Sequence, residues 1–453
     1  MKNCLVVGMA RSGVALANML LDNGYNVICS DTKGRENLGS DMDELEKKGA
    51  YLALGEAPDA YFDKCETMII SPGISINAGF VKRAMEKGVE VSGELEIGFR
   101  FLKGLVLAIT GTNGKTTTTT LVGEIFKNYG KTTYVVGNIG IPVTSIADKT
   151  DEDSVTVVEV SSFQMETADE FYPKCAALLN ITEDHLNRHG TMDEYIRMKK
   201  RVFSRQNESD FAVLNLEDSE VVKRSLDIKA KKLWFSKKPM EEDGAFQKDG
   251  NVYFRLNGKL TYVCKASDIY IPGPHNLENA LAAVAMTMAV GVPEHIVAHT
   301  LKTFTGVEHR IETVDTISGI RYINDSKGTN VDSTVRAVQT MTEPTVILLG
   351  GSDKHTDFTP LCELIRDSEN IRFAVTLGDT AKQFNETFDK VGFENYVYAD
   401  GFENAVLKAR ELCKEGWNVL LSPACASFDM FKDYEQRGRV FKEIVMKIKQ
   451  NVL

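Results

Sequence analysis

The sequence lacks the features that mark secreted, membrane-spanning or nucleic-acid-binding proteins. Its 8 cysteines are scattered and form no Cys-x-x-Cys pair, which disfavours both a disulfide framework and a zinc ribbon. No apolar run reaches the ~18 residues that a membrane-spanning helix needs, so we expect neither membrane insertion nor a signal peptide. A net charge of −11 disfavours nucleic acid as a partner, because phosphate backbones attract basic surfaces. We therefore expect a cytoplasmic globular protein.

Three blocks of alternating strands and helices make up the chain, which at 453 residues is too long for one hydrophobic core. Short Val/Ile/Leu runs between helical stretches are typical of parallel sheets covered by helices. Strands are predicted at 4–7, 27–30, 67–71, 105–110, 133–136, 155–160, 176–181, 320–324, 346–349, 373–377 and 419–422. We predict an α/β fold of three domains, 1–98, 99–305 and 306–453, with a Rossmann-like domain at each end. The central domain is expected to hold a parallel sheet of the phosphate-loop ATPase type, with an added β-rich part at 251–263.

A glycine-containing loop follows the strand predicted at 105–110, and we call residues 111–116 the phosphate loop. Its glycines allow backbone N–H groups to turn toward an anion, and the helix that follows points its positive end to the same place. Lys115 supplies a charge for the outer phosphates of ATP, and the Thr116 hydroxyl can hold Mg²⁺. Ile109 stands where the general pattern has its first glycine, so the loop is a shortened variant. The candidate ATP-binding residues are Gly111, Thr112, Asn113, Gly114, Lys115, Thr116, Thr117 and Thr118.

A second glycine-containing loop, residues 8–13, follows the first predicted strand, and we call it the first loop. Asp31 ends the next strand, where a dinucleotide-binding fold places its ribose-binding acid. Ala10 replaces the middle glycine of that pattern, so the backbone cannot approach a pyrophosphate as closely. Three interpretations remain open: a dinucleotide site of an oxidoreductase, a site for a sugar nucleotide, and a purely structural turn.

Several polar side chains stand at or after strands next to the phosphate loop. Glu159 ends the strand predicted at 155–160, a position that usually serves Mg²⁺ in phosphate-loop enzymes. His185 and His189 have the i, i+4 spacing of a zinc helix, but Leu186 stands where such a helix needs Glu. Lys199 would by composition alone be part of a solvated basic helix face.

The order of these motifs resembles the Mur ligase family. The matching segments, in chain order, are 111–117, 137–140, 159–164, 180–185, 199–203, 275–279, 308–310 and 324–330. The resemblance implies a three-domain enzyme that adds amino acids to the peptide of the bacterial cell-wall precursor. The segments 348–354 and 421–429 look like those of members that add D-glutamate to UDP-N-acetylmuramoyl-L-alanine. Two features agree with this interpretation. The alanine-adding members usually carry His where this chain has Asn113, and the chain has no Asp-Asn-Pro-Arg motif.

The resemblance also implies roles for individual residues. The UDP-precursor would be bound by Ser12, Gly13, Asp31, Thr32, Lys33, Gly73, Asn138 and His185. ATP would additionally contact Asn279, Arg310 and Asp325. D-glutamate would be bound by Thr329, Lys354, Ser427, Phe428 and Tyr434. Lys33 departs from the Arg of the family pattern, and Tyr434 from its Phe.

The catalytic residues implied by the resemblance are Lys115, Asn138, Glu159, His185 and Lys199. Two Mg²⁺ ions would be held by Thr116, Glu159, His185 and Lys199, the last carrying a CO₂-derived carbamate. Lys199 is preferred to its neighbour Lys200 by its spacing from Tyr195. The reaction would pass through an acyl phosphate, with the amine base unassigned, in an enzyme expected to be a monomer.

Two other classes of protein agree less well with the sequence. A GTPase-like switch should carry Asn-Lys-x-Asp for guanine, and no Asn of the chain is followed by Lys. A folate-polyglutamate ligase is the nearest enzymatic alternative, but its phosphate loop usually has Gly where Thr116 stands.

Overall fold

The computed structural model describes residues 2–352 and 356–450, and these form three mostly parallel sheets flanked by helices. The chain divides into two compact units, one ending at Phe304 and one beginning at Thr305. The predicted three-domain α/β fold is confirmed, while its limits at 98/99 and 305/306 stay predictions. Lys354 lies outside the described residues. Within them, no helix combines the length and apolarity needed to cross a bilayer.

The first sheet has the strand order β3-β2-β1-β4-β5, with every pair parallel. Its strands are β1 (Asn3–Val7), β2 (Asn26–Asp31), β3 (Tyr51–Leu54), β4 (Thr67–Ile70) and β5 (Glu90–Gly93). Its helices are α1 (Arg11–Asp22), α2 (Asp41–Lys47), α3 (Gly79–Glu86) and α4 (Glu94–Phe99). Because β1 pairs with both β2 and β4, the loops that follow these three strands meet at the carboxyl edge of the sheet.

The central sheet has nine strands in the order β14-β13-β12-β11-β10-β9-β6-β8-β7. They are β6 (Leu105–Thr110), β7 (Thr133–Gly137), β8 (Val155–Glu159), β9 (Cys175–Leu178), β10 (Phe211–Asn215), β11 (Lys231–Ser236), β12 (Gly244–Lys248), β13 (Asn251–Leu256) and β14 (Lys259–Lys265). Pairing is parallel from β7 to β12, and antiparallel in the two pairs that join β12, β13 and β14. The helices are α5 (Lys115–Asn128), α6 (Leu186–His189), α7 (Met192–Lys200), α8 (Ser219–Arg224), α9 (Pro274–Ala289) and α10 (Glu294–Thr303).

The third sheet, in the unit that begins at Thr305, has the order β15-β16-β20-β17-β18-β19. Its strands are β15 (Glu312–Ile317), β16 (Ile320–Asn324), β17 (Thr345–Gly350), β18 (Ile371–Leu377), β19 (Tyr396–Tyr398) and β20 (Asn418–Leu421). Only β15 runs antiparallel to its neighbour. The helices are α11 (Val331–Thr340), α12 (Thr359–Asp367), α13 (Ala381–Val391), α14 (Phe402–Leu412) and α15 (Tyr434–Lys449).

Four predicted strands extend past the observed ones, those at 67–71, 155–160 and 419–422 by one residue, and the fourth bears on the site. The strand predicted at 176–181 was wrong beyond Leu178, where β9 ends. The residues after it leave the sheet to bond the phosphate loop, because Thr112 N–H donates to the Asn180 carbonyl at 3.0 Å. Leu179 is buried beside Gly111 and Gly114 of that loop, whereas Ile181 is buried in the hydrophobic core of the central domain.

Candidate active site

The phosphate loop follows β6 directly and includes the first two residues of α5, which confirms the predicted order of strand, loop and helix. Gly114 directly precedes α5 with a left-handed φ of 81°, a conformation that disfavours a side chain. A Cβ at this position would lie 2.2 Å from Oδ1 of Asn279 on α9. The same oxygen accepts a hydrogen bond of 3.3 Å from the Thr118 hydroxyl. Asn279 thus fixes how α9 packs against the start of α5.

Asn180 fastens the phosphate loop to the segment after β9. Its Oδ1 accepts from Asn113 N–H at 2.8 Å, and its Nδ2 donates to the Asn113 carbonyl at 3.1 Å. Thr112 Oγ1 accepts from Thr182 N–H at 3.0 Å, one step further along the same segment. Sequence analysis assigned no role to Asn180, although its place directly after a strand could have indicated one.

The Lys115 side chain folds back over the phosphate loop. Its Nζ donates to the carbonyls of Gly111 and Thr112, both at 2.9 Å. The positive charge therefore lies at the loop and at the N-terminal end of α5, where a helix favours anions. Thr116 and Thr117 follow in the first turn of that helix, both buried.

Glu159 brings a buried carboxylate to the strand beside the loop. It ends β8 opposite Ile109 of β6 and Gly137 of β7, and only 1% of it is exposed. Its Oε1 accepts from Asn138 Nδ2 at 2.7 Å. Its Oε2 is buried without a hydrogen-bond partner among the residues the structure describes. An unbonded, buried carboxylate oxygen is costly to a fold unless a cation or ligand occupies the space it faces.

Lys199 is buried beside the same loop, with 2% of it exposed. Its Nζ donates to the Gly111 carbonyl at 2.7 Å and lies 4.6 Å from the centroid of the Tyr195 ring. Burial, and after it the charge of Lys115, holds the pKa of Lys199 well below its usual range. Lys200 differs, since its Nζ pairs with Asp227 at 2.7 Å. Only the first of these two adjacent lysines contacts the phosphate loop.

His185 is held in a left-handed conformation (φ 54°) just before the short helix α6. Its ring lies 4.7 Å from that of Phe163, and its Nε2 lies 3.4 Å from Oδ2 of Asp184. Burial lowers the pKa of His185, and the charges of Lys199 and Lys115 act in the same direction. A neutral imidazole is the form that binds a metal ion.

The first loop and the end of β2 border an open cleft of about 510 Å³. Asp31 stabilises the loop, since its Oδ2 accepts from Met9 N–H at 2.7 Å and its Oδ1 from Lys33 N–H at 2.9 Å. Of the residues predicted to bind the precursor, Asp31 and Lys33 line this cleft. Ser12 and Gly13 lie in the first turn of α1, Thr32 between the two lining residues, and Gly73 after β4. Polar lining residues that the sequence did not indicate are Arg11, Asn37, Asp41 and Ser145.

Arg188 connects the loop after β4 to the central domain. Its guanidinium donates to the carbonyls of Gly73 and Ile74 at 3.2 and 2.8 Å. It also binds both carboxylate oxygens of Glu166, at 3.0 and 2.6 Å, and lies 4.6 Å from the Phe163 ring centroid. The predicted precursor loop is thus joined to the segment that carries His185. No local pattern indicated this, because the partners are about a hundred residues apart.

In the unit that begins at Thr305, the loops after β16, β20 and β17 leave one edge of the sheet. Asp325 follows β16, and its Oδ2 accepts from Ser422 Oγ at 2.6 Å. Burial raises the pKa of Asp325 to about 7, although the hydrogen bond from Ser422 and the charge of Arg310 oppose the rise. The remaining residues predicted for D-glutamate lie on these loops or at the start of α15: Thr329, Ser427, Phe428 and Tyr434. Phe428 is 73% exposed, whereas Ser427 is 2% exposed.

The fold and the phosphate loop define the chain as an α/β protein of the phosphate-loop class. Three family models match it: the Mur ligase MurD-like N-terminal domain over residues 2–93, the Mur ligase middle domain over 109–287, and the Mur ligase glutamate ligase domain over 309–425. The UDP-N-acetylmuramoylalanine--D-glutamate ligase of Pelotomaculum thermopropionicum is 43% identical over 449 residues, covering 99% of this chain and 98% of the relative. The ligase of the same name from Alkaliphilus oremlandii is 43% identical over 451 residues and 99% of both chains. The chain belongs to the Mur ligase family.

Solved structures share the fold at lower identity. UDP-N-acetylmuramate-alanine ligase from Thermotoga maritima is 19% identical with a TM-score of 0.60, covering 99% of this chain and 100% of its own. A MurF ligase from the same organism, in complex with ADP, is 16% identical with a TM-score of 0.59, covering 93% and 95%. At such identities the likeness shows the three-domain fold alone.

Proposed function

We propose that this chain is an ATP-dependent ligase that joins D-glutamate to UDP-N-acetylmuramoyl-L-alanine, a step in building the peptidoglycan precursor. The choice of substrates is supported by relatives of that name, 43% identical over 99% of the chain. The reaction class is supported above all by Glu159, whose buried Oε2 has no partner within the described residues and lies on the strand beside the phosphate loop. An oxygen in that position suits the cation of a bound Mg²⁺–ATP.

The residues around the phosphate loop fit Mg²⁺. The carboxylate of Glu159 and the hydroxyl of Thr116 are the hard oxygen ligands that this ion prefers. Within the described part of the chain, no group of three or more His, Cys, Asp and Glu side chains could hold a metal ion. A second ion therefore needs a further anionic ligand, which we assign to a carbamate on Lys199, with His185 beside it. Bound Mg²⁺ would offset the charge that spreads over the phosphoryl oxygens.

The environment of Lys199 favours a carbamate. Its lowered pKa favours the neutral amine, whose free electron pair on Nζ can form an N–C bond with CO₂. The amine proton leaves to solvent, and the product is a carbamate anion on the side chain whose Nζ contacts the phosphate loop at Gly111. Lys200 is unsuited, because its Nζ pairs with Asp227 instead of reaching the phosphate loop.

The proposed chemistry uses the site in two steps. A carboxylate oxygen of the precursor's L-alanine attacks the γ-phosphorus of ATP, ADP leaves, and an acyl phosphate forms. Lys115 and the start of α5 stabilise the negative charge on the transferring group. The amine of D-glutamate then attacks the acyl carbon and loses a proton, and inorganic phosphate leaves with the bridging oxygen. We assign the amino acid to Thr329, Lys354, Ser427, Phe428 and Tyr434, and further ATP contacts to Asn279, Arg310 and Asp325.

We further propose that the precursor's UDP moiety occupies the cleft at the first loop. Asp31 and Lys33 border that cleft, and Asn138, bonded to Glu159, would lie toward the sugar-peptide end. The enzyme would work as a monomer in the cytoplasm, where ATP and UDP-sugars are found. It would thereby support cell-wall growth and division.

ADP release tests this function. With UDP-N-acetylmuramoyl-L-alanine present, we expect ADP to form with D-glutamate but not with L-glutamate, L-lysine or glycine. Dependence on another amino acid would overturn the substrate while leaving the ligase class. A fluorescence titration with NADPH is the matched control for the first loop, since saturable NADPH binding there would favour an oxidoreductase.

A further inference from the structure

Arg437, on the first turns of α15, is a buried cation with an unusual set of partners. Only 1% of it is exposed. Its Nε donates to Ser326 Oγ at 2.9 Å, one terminal nitrogen donates to the Ser326 carbonyl at 2.7 Å, and the other donates to the Cys425 carbonyl at 3.1 Å. Within the described residues none of these hydrogen-bond partners is a carboxylate, although the carboxyl groups of Asp325 and Asp429 lie close enough to act on the guanidinium electrostatically. Burial lowers the pKa of Arg437 to about 10, so the group stays charged at neutral pH.

The two partners of Arg437 belong to the two loops assigned to the amino acid. Ser326 lies in the loop after β16 that continues to Thr329. Cys425 lies in the loop after β20 that continues to Ser427. The strands that precede these loops are direct neighbours, with Asn324 opposite Leu421. One guanidinium therefore spans the gap between two loops whose spacing the sheet fixes only at their first residues.

The start of α15 is fitted closely to the same place. The Ser326 hydroxyl donates to the Tyr434 carbonyl at 2.8 Å, so the loop after β16 also bonds the helix backbone. A Cβ on Gly438 would lie 2.3 Å from Nδ1 of the buried His309 ring. Asn324 Nδ2 donates to the Gly438 carbonyl at 3.3 Å. These contacts leave Arg437 little freedom to move away from the loops.

We propose that Arg437 is a positioning residue for the amino-acid substrate, holding the loop after β16 and the loop after β20 at the spacing that binds D-glutamate. The argument rests on the proposed function for the identity of the substrate. Arginine suits this task because its planar fork holds five N–H donors on three nitrogens in fixed directions, whereas lysine carries its three donors on one mobile ammonium. Burying a guanidinium whose hydrogen bonds all go to neutral loop oxygens costs free energy, and function can maintain such a cost.

The test compares Arg437→Lys and Arg437→Met with Arg439→Met. Arg439 lies on the same helix but is 54% exposed, with its guanidinium 3.8 Å from Glu435, so it controls for loss of an arginine from α15. With the other substrates saturating, we expect both Arg437 variants to raise the KM for D-glutamate ~10-fold or more, the loss of about one well-placed charged hydrogen bond. The KM for ATP and for the UDP-precursor should stay within ~2-fold, and high D-glutamate should recover much of kcat.

A merely structural role makes a different forecast. In that case the substitutions would lower the unfolding temperature, and they would either change the KM values for all three substrates together or change none of them. Either pattern of KM values overturns the proposal. If Arg437→Met does not fold, Arg437→Lys and Ser326→Ala carry the test, because Ser326→Ala removes the hydroxyl that bonds Arg437 and the Tyr434 carbonyl but keeps both backbone carbonyls that the guanidinium bonds. An unchanged D-glutamate KM in both would then overturn it. Failure of the proposed function is seen separately, in wild-type enzyme that releases no ADP with D-glutamate.

Discussion

The first loop and the phosphate loop have similar backbone settings, but the charged side chains beside them differ in sign. Each follows a buried parallel strand, each contains a left-handed glycine (Gly8 and Gly114), and each leads into a helix. At the first loop the neighbouring strand β2 presents a carboxylate, Asp31, to the loop's own N–H groups. At the phosphate loop the helix itself supplies Lys115, whose ammonium bonds the loop carbonyls.

In both loops the glycines only make room for a ligand near the backbone. The charge placed beside the loop decides which part of a ligand it can take. A carboxylate repels phosphate but accepts hydroxyl and N–H donors, so the first loop suits a ribose or a base. An ammonium at a helix N-terminus attracts phosphate. A substitution in one loop should therefore weaken the binding of that loop's ligand and leave the binding of the other loop's ligand unchanged.

The largest effect is expected from Lys115→Met. Loss of the charge at the phosphate loop should lower kcat by about 10³-fold, as removal of a preorganised transition-state donor does. Calorimetry should find the binding of UDP-N-acetylmuramoyl-L-alanine without ATP unchanged. Lys127→Met is the control, since Lys127 ends the same helix on the surface and pairs with Glu124. A weakened precursor affinity in Lys115→Met would mean that the two loops do not act separately.

A loss of about 10²-fold or more in kcat is expected from Lys199→Ala, because the proposed carbamate ligand is then absent. Lys200→Ala should keep most activity, since that side chain pairs with Asp227 instead. Acetate or carbonate added to Lys199→Ala should restore part of the rate. Full activity in Lys199→Ala would exclude the carbamate role.

The substitutions Gly13→Ala and Gly114→Ala should each affect the binding of a different substrate. The new Cβ would lie 2.0 Å from the Gly8 carbonyl oxygen in the first case and 2.2 Å from Asn279 Oδ1 in the second. Each should lower the free energy of unfolding by about 1–3 kcal/mol, as overpacking does. We expect Gly13→Ala to raise only the KM for the precursor, and Gly114→Ala only that for ATP. Thermal unfolding measures the loss of stability, and steady-state kinetics measures the two KM values. A raised KM for ATP in Gly13→Ala together with a raised KM for the precursor in Gly114→Ala would refute the prediction.

The smallest effect is expected from Asp31→Asn. One of its two oxygens becomes an NH₂ group, so either the Met9 or the Lys33 N–H loses its acceptor. The KM for the precursor should rise by about 10-fold, the equivalent of one lost hydrogen bond to a charged group. The KM for ATP should not change. A rise in both would show that Asp31 acts through the stability of the fold.

The predictability of the two loops from the sequence differs for physical reasons. The phosphate loop follows a long apolar strand and precedes a helix, so its position and ends were predicted from local pattern alone. Short or polar strands were missed, such as β5 (Glu90–Gly93), because only their sheet neighbours make them strands. Beyond the loop, Glu159 was found as a strand-end acid. Its partner Asn138 came only with the family resemblance, because spacing in the chain does not reveal that β7 pairs with β8.

Burial was the other property that the sequence could not supply. Lys199 and Lys200 are adjacent on one helix, and pattern alone could not say which faces the phosphate loop. The structure distinguishes them by contact, since Lys199 reaches Gly111 and the Tyr195 ring, whereas Lys200 reaches Asp227. Arg188 and Arg437 were missed for the same reason, because each bonds a backbone carbonyl that is distant in the sequence, that of Ile74 and that of Ser326.

An oxygen-tracing experiment tests the central claim, that the phosphate loop serves to activate a carboxylate. The precursor is prepared with ¹⁸O in both oxygens of its L-alanine carboxylate and is turned over with ATP and D-glutamate. An acyl phosphate predicts one ¹⁸O in each inorganic phosphate released and one in the new amide carbonyl, read by mass spectrometry. Phosphate free of ¹⁸O, with amide product formed, would contradict the account.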